Sequence, residues 1–284
     1  MDTVVPFRTW AALLGAVYFL LCLGYFLLHR FFVFRPSRKI DRAPDAFDLD
    51  FEDCEFKAKD DTRLRGWWMR PSPGISNTES EAPVILFLPG NKGTLSRFLP
   101  QFRELCNAGF AVHAFGYRGF GGSENTPPSE RGVRLDVDGA WRHLVETRRV
   151  DPRRIIVFAQ SLGCAFGTRL AARCNPSGLI CEAGFRSLAA ITARRVPWIP
   201  VALLTPKSYE TGRHLEKVRC PVLVAHSVED PAVPFEEALS LFRAARAPKT
   251  LVRLRGAHAR GLEVMPSEFL ERIKTFFLSR PPGP

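Results

Sequence analysis

Residues Arg153 to Leu170, RRIIVFAQSLGCAFGTRL, decide how the rest of the chain is read. Ile155 to Ala159 form an unbroken apolar or small run, the texture of a short strand buried on both faces. Gln160-Ser161 interrupts it, and Leu162 to Ala172 reads as a helix. A serine at the tip of a sharp strand-to-helix turn, with small residues two before (Ala159) and two after (Gly163), has the layout that presents a nucleophile. A large side chain at either flank would collide with the neighbouring strand or helix. The hydroxyl is lifted clear of the sheet and faces the helix N-terminus, whose unpaired N–H groups favour an anion. The usual pattern is G-x-S-x-G, and alanine stands here in the first glycine position. Taken alone, the stretch is equally well an ordinary β-to-α turn.

A chain of 284 residues that is 46% hydrophobic can bury a domain of roughly 200–250 residues and carry an appendage. The net charge of +11 raises the possibility of a nucleic-acid partner, but the basic residues are mixed with acids and no recognition motif accompanies them. No nucleic acid is expected; an anionic membrane surface suits this charge better. Cys22, Cys54, Cys106, Cys164, Cys174, Cys181 and Cys220 make an odd set without a C-x-x-C pair. That favours reduced, buried thiols over a disulfide framework, a structural zinc or a catalytic cysteine. No metal or cofactor is expected.

Trp10 to Leu28, WAALLGAVYFLLCLGYFLL, carries no charge and would span roughly 28 Å as a helix, close to the ~30 Å hydrocarbon core of a bilayer. The run exceeds a signal-peptide core, and no small-x-small cleavage site follows it. Residues 1–35 are therefore expected to be a membrane anchor, with a transmembrane helix over about 10–28. Arg8 alone precedes it, whereas Arg30, Arg35, Arg38, Lys39 and Arg42 follow, which directs the C-terminal bulk to the cytoplasm. The expected location is a single-pass membrane protein. Residues 36–50 read as a polar linker and 51–284 as the main domain.

Phe51–Ala58 and Leu64–Arg70 read as a hairpin turning near Asp60-Asp61, and 71–83 as a loop. From Val84 onward, apolar strands alternate with helices: strands at 84–88, 110–115, 155–159, 178–183, 221–226 and 250–254, and helices near 97–108, 129–148, 162–172, 235–245 and 267–278. This predicts an α/β fold: a mostly parallel sheet of about eight strands with helices on both faces. Ligands in such sheets bind beyond the carboxyl ends of strands. Those ends hold Pro89–Thr94, Gly116–Glu124, Ser161, Ser227–Pro234 and Arg255–Gly261. In chain order this gives Ser161, Asp230 and His258, the order of a serine-hydrolase triad, each in a strand-end loop. A loop histidine is often only a surface residue and an Asp before proline only a turn former, but their conjunction after the right strands favours the triad. Glu229 and Glu182 compete with Asp230 for the acid role.

The sequence resembles the α/β-hydrolase superfamily over about residues 50–280, and most resembles its membrane-anchored serine hydrolases. The motifs are Pro89-Gly90-Asn91 for H-G-N, Tyr117-Arg118-Gly119-Phe120-Gly121-Gly122-Ser123 for Y-R-G-[YF]-G-x-S, His226 to Pro234 for H-G-x-x-D-x-x-V-P, and Gly256-Ala257-His258 for G-x-H. Pro89, Ala159, Ser227 and Cys164 depart from the pattern, and Cys164 and Pro89 shape the oxyanion side of the turn. The resemblance implies Ser161 as nucleophile, His258 as base, Asp230 as its orienter, and the backbone N–H groups of Leu162 and Asn91 as the oxyanion hole. It implies hydrolysis of a carboxylic ester or thioester through an acyl-enzyme, with lipid or acylated substrates natural to an anchored enzyme. The alternative is a weakly active or inactive hydrolase fold serving as a membrane-bound interaction module.

Gly184 to Arg219 would form a small cap over the site, with Arg186, Arg194, Arg195, Lys207, Arg213, Lys217 and Arg219 against Glu210 and Glu216. It is either a solvated cover packed on the core, or a surface whose Trp198, Ile199 and Leu203 touch lipid while its basic residues attract anionic head groups.

Overall fold

Eight extended runs pair into one sheet: β1 (Phe51–Lys57), β2 (Arg63–Met69), β3 (Val84–Leu88), β4 (Ala111–Phe115), β5 (Ile155–Gln160), β6 (Gly178–Glu182), β7 (Val222–Ser227) and β8 (Lys249–Leu254). The spatial order is β1-β2-β4-β3-β5-β6-β7-β8. β1–β2 and β2–β4 are antiparallel, and the other neighbours are parallel. The computed structural model describes residues 7–74, 81–205 and 209–278. Lys207 of the cap, part of the loop 71–83 and the chain ends lie outside the described residues.

The apolar runs split cleanly between the two faces. Val84, Leu86 and Leu88 of β3 and Ile155, Val157 and Ala159 of β5 face one side, with Val133, Val137, Phe166, Leu170 and Leu241. These come from α3 (Glu130–Arg142), α4 (Gly163–Cys174) and α8 (Phe235–Ala244). Ile85, Phe87, Ile156 and Phe158 face the other, with Leu99, Phe102, Phe269 and Ile273 of α2 (Leu99–Asn107) and α9 (Pro266–Phe277). Continuous burial arises because both faces are covered, so alternation in polarity is lost while alternation in direction remains. The chain moves from β3 outward to β4, then returns across β3 to β5. Its winding reverses there, and the crevice beyond the carboxyl ends of β3 and β5 is the place where such sheets bind ligands.

Several boundaries shift for local reasons. Gln160 belongs to β5 rather than interrupting it, because its amide nitrogen donates to the buried side chains of Gln101 and Glu182. The helix expected over 129–148 is α3 followed by a wider π turn at His143–Thr147. Among the described residues the cap contains the short helices α5 (Leu188–Ala193), α6 (Val201–Leu204) and α7 (Thr211–Leu215).

At the N-terminus, α1 (Phe7–Val33) has a mean hydropathy of 2.3 over its most apolar window, none of that window buried. Its 27 residues reach roughly 40 Å, long enough to cross a bilayer. The stretch read as a plain linker lies against the body. Phe34 is buried, and Arg35–Pro36 pairs in parallel with Lys92–Gly93. Pro44–Phe47 forms a 3₁₀ turn, the Ser37 carbonyl accepts from Gly121 N, and Arg38 donates to the Ser123 carbonyl.

The loop after β4 is fixed by a charge cluster whose Arg118 and Asp136 are buried and whose Asp60 reaches the surface. Arg118 donates to Asp136 Oδ1 from Nε at 2.9 Å and from Nη2 at 2.7 Å, and to Asp60 from both terminal nitrogens at 2.9 Å. The Asp136 carboxylate also accepts from Arg118 N at 2.9 Å. The Arg118 guanidinium holds the Asp60 carboxyl down at about 2. Its contribution to stability is therefore complete above the ordinary carboxylate value of ~3.9 and is lost as pH falls through about 2. Wild type should melt above Asp60→Asn at neutral pH, and the gap should close between about pH 4 and pH 2 in a thermal-melt series.

Candidate active site

Ser161 sits at the crevice with φ of +52°, a left-handed backbone that a non-glycine residue adopts only when its surroundings enforce it. Its N–H donates to the Glu182 carbonyl at 2.9 Å, and its own carbonyl accepts from Cys164 N at 3.0 Å. The turn closes because α4 reaches the sheet edge. A Cβ on Gly163 would lie 2.3 Å from the Leu88 carbonyl oxygen and 2.7 Å from that of Pro89. The alanine in the first glycine position has its own accommodation: a Cβ on Gly167 would come within 2.7 Å of Ala159 Cβ. Glycine one helical turn along thus makes the room that Ala159 takes up.

His258 Nε2 lies 2.8 Å from Ser161 Oγ, and His258 Nδ1 lies 2.7 Å from Asp230 Oδ2. A carboxylate only accepts, so Nδ1 carries the proton and Nε2 is free to accept from the serine hydroxyl. The Asp230 side chain is wholly buried, and its Oδ1 accepts from Ala232 N at 2.8 Å and Val233 N at 3.0 Å. Burial alone would raise this carboxyl. The His258 hydrogen bond and the two backbone donors outweigh it, so the net shift is downward and Asp230 is an anion at neutral pH.

The competing acids serve other contacts. Glu229 accepts from Gly256 N at 2.8 Å, bracing the turn before His258. Glu182 is buried; it accepts from Gly261 N at 2.7 Å and from Gln160 Nε2 at 2.6 Å. Burial pushes its carboxyl up, against the lowering effect of those donors. Gln160 also donates to Gln101 Oε1 at 2.8 Å, and Gln101 donates to Glu263 at 3.0 Å. This polar floor beneath Ser161 and His258 escapes sequence reasoning, since its members come from four separate segments. His226 is another such residue: its Nε2 is 2.8 Å from the Val233 carbonyl and 3.4 Å from Asp230 Oδ2. The carbonyl acceptor requires the proton on Nε2, and burial lowers its pKa, so His226 packs beside Asp230 as a neutral ring.

The two expected oxyanion donors also meet here. Among the described residues neither Leu162 N nor Asn91 N has an intramolecular acceptor. Gly90 lies beside the turn, where a Cβ would make ordinary contact with Ser161 Cβ at 3.4 Å. Asn91 is held from outside the loop: its Nδ2 donates to the Val33 carbonyl at 2.8 Å, and its carbonyl accepts from Arg35 N at 2.8 Å. Pro89 is fixed through its backbone, whose carbonyl accepts from Tyr117 Oη at 3.1 Å. Cys164 turns away from the crevice. Its thiol is fully buried, donates to the Ala159 carbonyl at 3.2 Å and is kept protonated by burial. It fills the space left open by Gly184 and does not shape the oxyanion side.

Two cavities open at Ser161. One of ≈ 670 Å³ runs between α1 and the cap and is mostly apolar. The other, ≈ 280 Å³, is lined by Lys92, Arg97, Arg260 and Glu263. Arg260 pairs with Glu263, while among the described residues Lys92 and Arg97 have no ion-pair partner. Among the described residues there is no His/Cys/Asp/Glu cluster suited to a metal.

Residues 79–210 match the family described as serine aminopeptidase, S33. An uncharacterized Mycobacterium tuberculosis protein is 32% identical over 225 residues, covering 79% of this chain and 78% of that one. A Danio rerio lysophosphatidylserine lipase, ABHD12, is 29% identical over 193 residues, 61% of this chain and 50% of that one. Among solved structures, a Pyrococcus furiosus esterase superposes with a TM-score of 0.69 at 19% identity, covering 86% of this chain and 98% of that one.

Two substitutions separate the turn's steric requirement from its consensus. Gly163→Ala should lower stability by about 2–4 kcal/mol, because its Cβ meets backbone that cannot move aside. Ala159→Gly, restoring the usual pattern, should cost about 1 kcal/mol through chain entropy and a lost contact with Gly167. Urea melts measure both.

Proposed function

Because the chain belongs to the α/β-hydrolase superfamily, as a serine hydrolase of the esterase, lipase and thioesterase kind, we propose that Ser161, His258 and Asp230 are its catalytic triad, acting on carboxylic ester or thioester bonds of lipid-like substrates at a membrane. The observation that carries this reading is the continuous relay from Asp230 through His258 to Ser161, at 2.7 and 2.8 Å. His258 Nε2 takes the Ser161 proton as Oγ attacks the carbonyl carbon. The developing oxyanion is met by Leu162 N–H and Asn91 N–H, each worth about 3 kcal/mol when aimed at the tetrahedral intermediate. The intermediate collapses, the alcohol or thiol leaves with the proton from His258, and water repeats the cycle on the acyl-enzyme. Asp230, held as an anion by its donors, keeps the imidazole in the required tautomer and stabilises it once protonated.

Three observations favour a lipid substrate. The larger cavity at Ser161 is mostly apolar, and the smaller one carries Lys92 and Arg97, which suit an acidic head group. α1 is long and apolar enough to anchor the chain in a bilayer. The Danio rerio relative is by its name a lysophosphatidylserine lipase, so a lysophospholipid is the first substrate to try. We read residues 1–35 as the anchor, 36–50 as a packed connector and 51–284 as the hydrolase domain with its cap over 184–219. The basic excess after α1 directs that domain to the cytoplasm.

Full-length protein in detergent should react with a fluorophosphonate, Ser161 Oγ bonding to phosphorus as fluoride leaves. Ser161→Ala should not label. Asp230→Asn should fold normally but lose about 10⁴-fold in kcat on p-nitrophenyl butyrate. Folded wild type that fails to label would overturn the enzyme reading in favour of a membrane-bound interaction module.

A further inference from the structure

α1 does more than its length and composition suggest. Leu21, Gly24, Leu28 and Phe32, spaced by three or four residues, lie on one helical face and line the ≈ 670 Å³ cavity. Leu188, Ile191 and Ile199 of the cap line the same cavity, as do Ser161 and His258. The helix is fastened in this orientation at two levels. Tyr25 Oη bonds Thr205 Oγ1 at 2.9 Å, immediately after α6, which packs against α1. At the helix end the Val33 carbonyl accepts from Asn91 Nδ2 and Arg35 N donates to the Asn91 carbonyl, both at 2.8 Å. From Leu21 to Phe32 the lined face covers roughly 16 Å of helix at about 1.5 Å per residue.

We propose that α1 is a wall of the substrate site: the acyl chain of the substrate lies in the apolar cleft between α1 and the cap, with its carbonyl at Ser161. This rests on the serine-hydrolase reading above. Moving an acyl chain from lipid into water costs free energy in proportion to its methylene count. A chain that slides along the inner face of α1 stays in an apolar medium from the bilayer to the nucleophile. Leu203 of α6, the cap helix that packs against α1, is 85% exposed, as suits a surface that meets lipid rather than water. The segment that would anchor the protein would thus also select its substrate by chain length.

Gly24 and Gly15 make the test clean, since a Cβ at either meets nothing within 4 Å. Gly24 lines the cavity and Gly15 does not. Full-length wild type, Gly24→Phe and Gly15→Phe in detergent are treated with dodecyl and ethyl fluorophosphonates, and the labelling rate of Ser161 is followed. Gly24→Phe should slow the dodecyl probe by about tenfold or more while leaving the ethyl probe within about twofold, and Gly15→Phe should match wild type with both. Equal slowing of the two probes, or no slowing of either, would overturn the α1 wall while leaving the serine-hydrolase reading intact. Absence of labelling by both probes in folded wild type removes that reading and this inference together.

Discussion

At Ser161 the chain turns through φ of +52° between the end of β5 and the start of α4. L-residues are held there only when neighbouring bonds and packing leave no other choice. Here the choice is closed by the Glu182 carbonyl that receives Ser161 N–H, by the Cys164 N–H returned to Ser161, and by Gly163 lying against the carbonyls of Leu88 and Pro89. The same contacts set the distance between α4 and the sheet. Among the described residues they also leave Leu162 N–H without an internal acceptor. One steric constraint thus exposes the hydroxyl and frees the donor beside it.

Carboxylates around this turn divide the work by environment. Asp230 meets His258 and two backbone donors, so its charge is stabilised despite burial. Glu182, equally buried, faces Gly261 N–H and Gln160 and links β5, β6 and the His258 loop. Glu229, adjacent to Asp230 in sequence, points the other way and holds Gly256. In a medium of low dielectric an unpaired polar group is costly, so the two buried carboxylates, Asp230 and Glu182, are committed to their donors and cannot exchange roles.

The oxyanion loop is tied on both sides. Tyr117, in the loop fixed by Arg118, Asp136 and Asp60, holds the Pro89 carbonyl. The C-terminal end of α1 holds Asn91 through both its side chain and its carbonyl. Under the proposed roles, the anchor and the catalytic centre share a residue, which gives the membrane-facing helix a direct mechanical hold on the oxyanion donor.

The α/β class, the order of strands and helices along the chain and the candidates Ser161, Asp230 and His258 were legible because they are carried by local signals: apolar runs of strand length, turn residues at strand ends, and small residues flanking a serine. The apolar length of α1 was legible for the same reason. Other features depend on segments far apart in sequence. That Asp230 lies against His258 while Glu229 and Glu182 are taken up by Gly256, Gly261 and Gln160 depends on side-chain direction at the ends of β6 and β7, where spacing favours an acid but does not orient it. That Gly167 makes room for Ala159, that Cys164 faces the core and that residues 34–50 pack on the body are consequences of helix–sheet distance. The position of α1 against the cap rests on contacts between residues 25 and 205 and between 33 and 91. Sequence fixes which groups are available, through composition and period; only tertiary packing decides which of them meet, because meeting is set by distances summed over the whole fold.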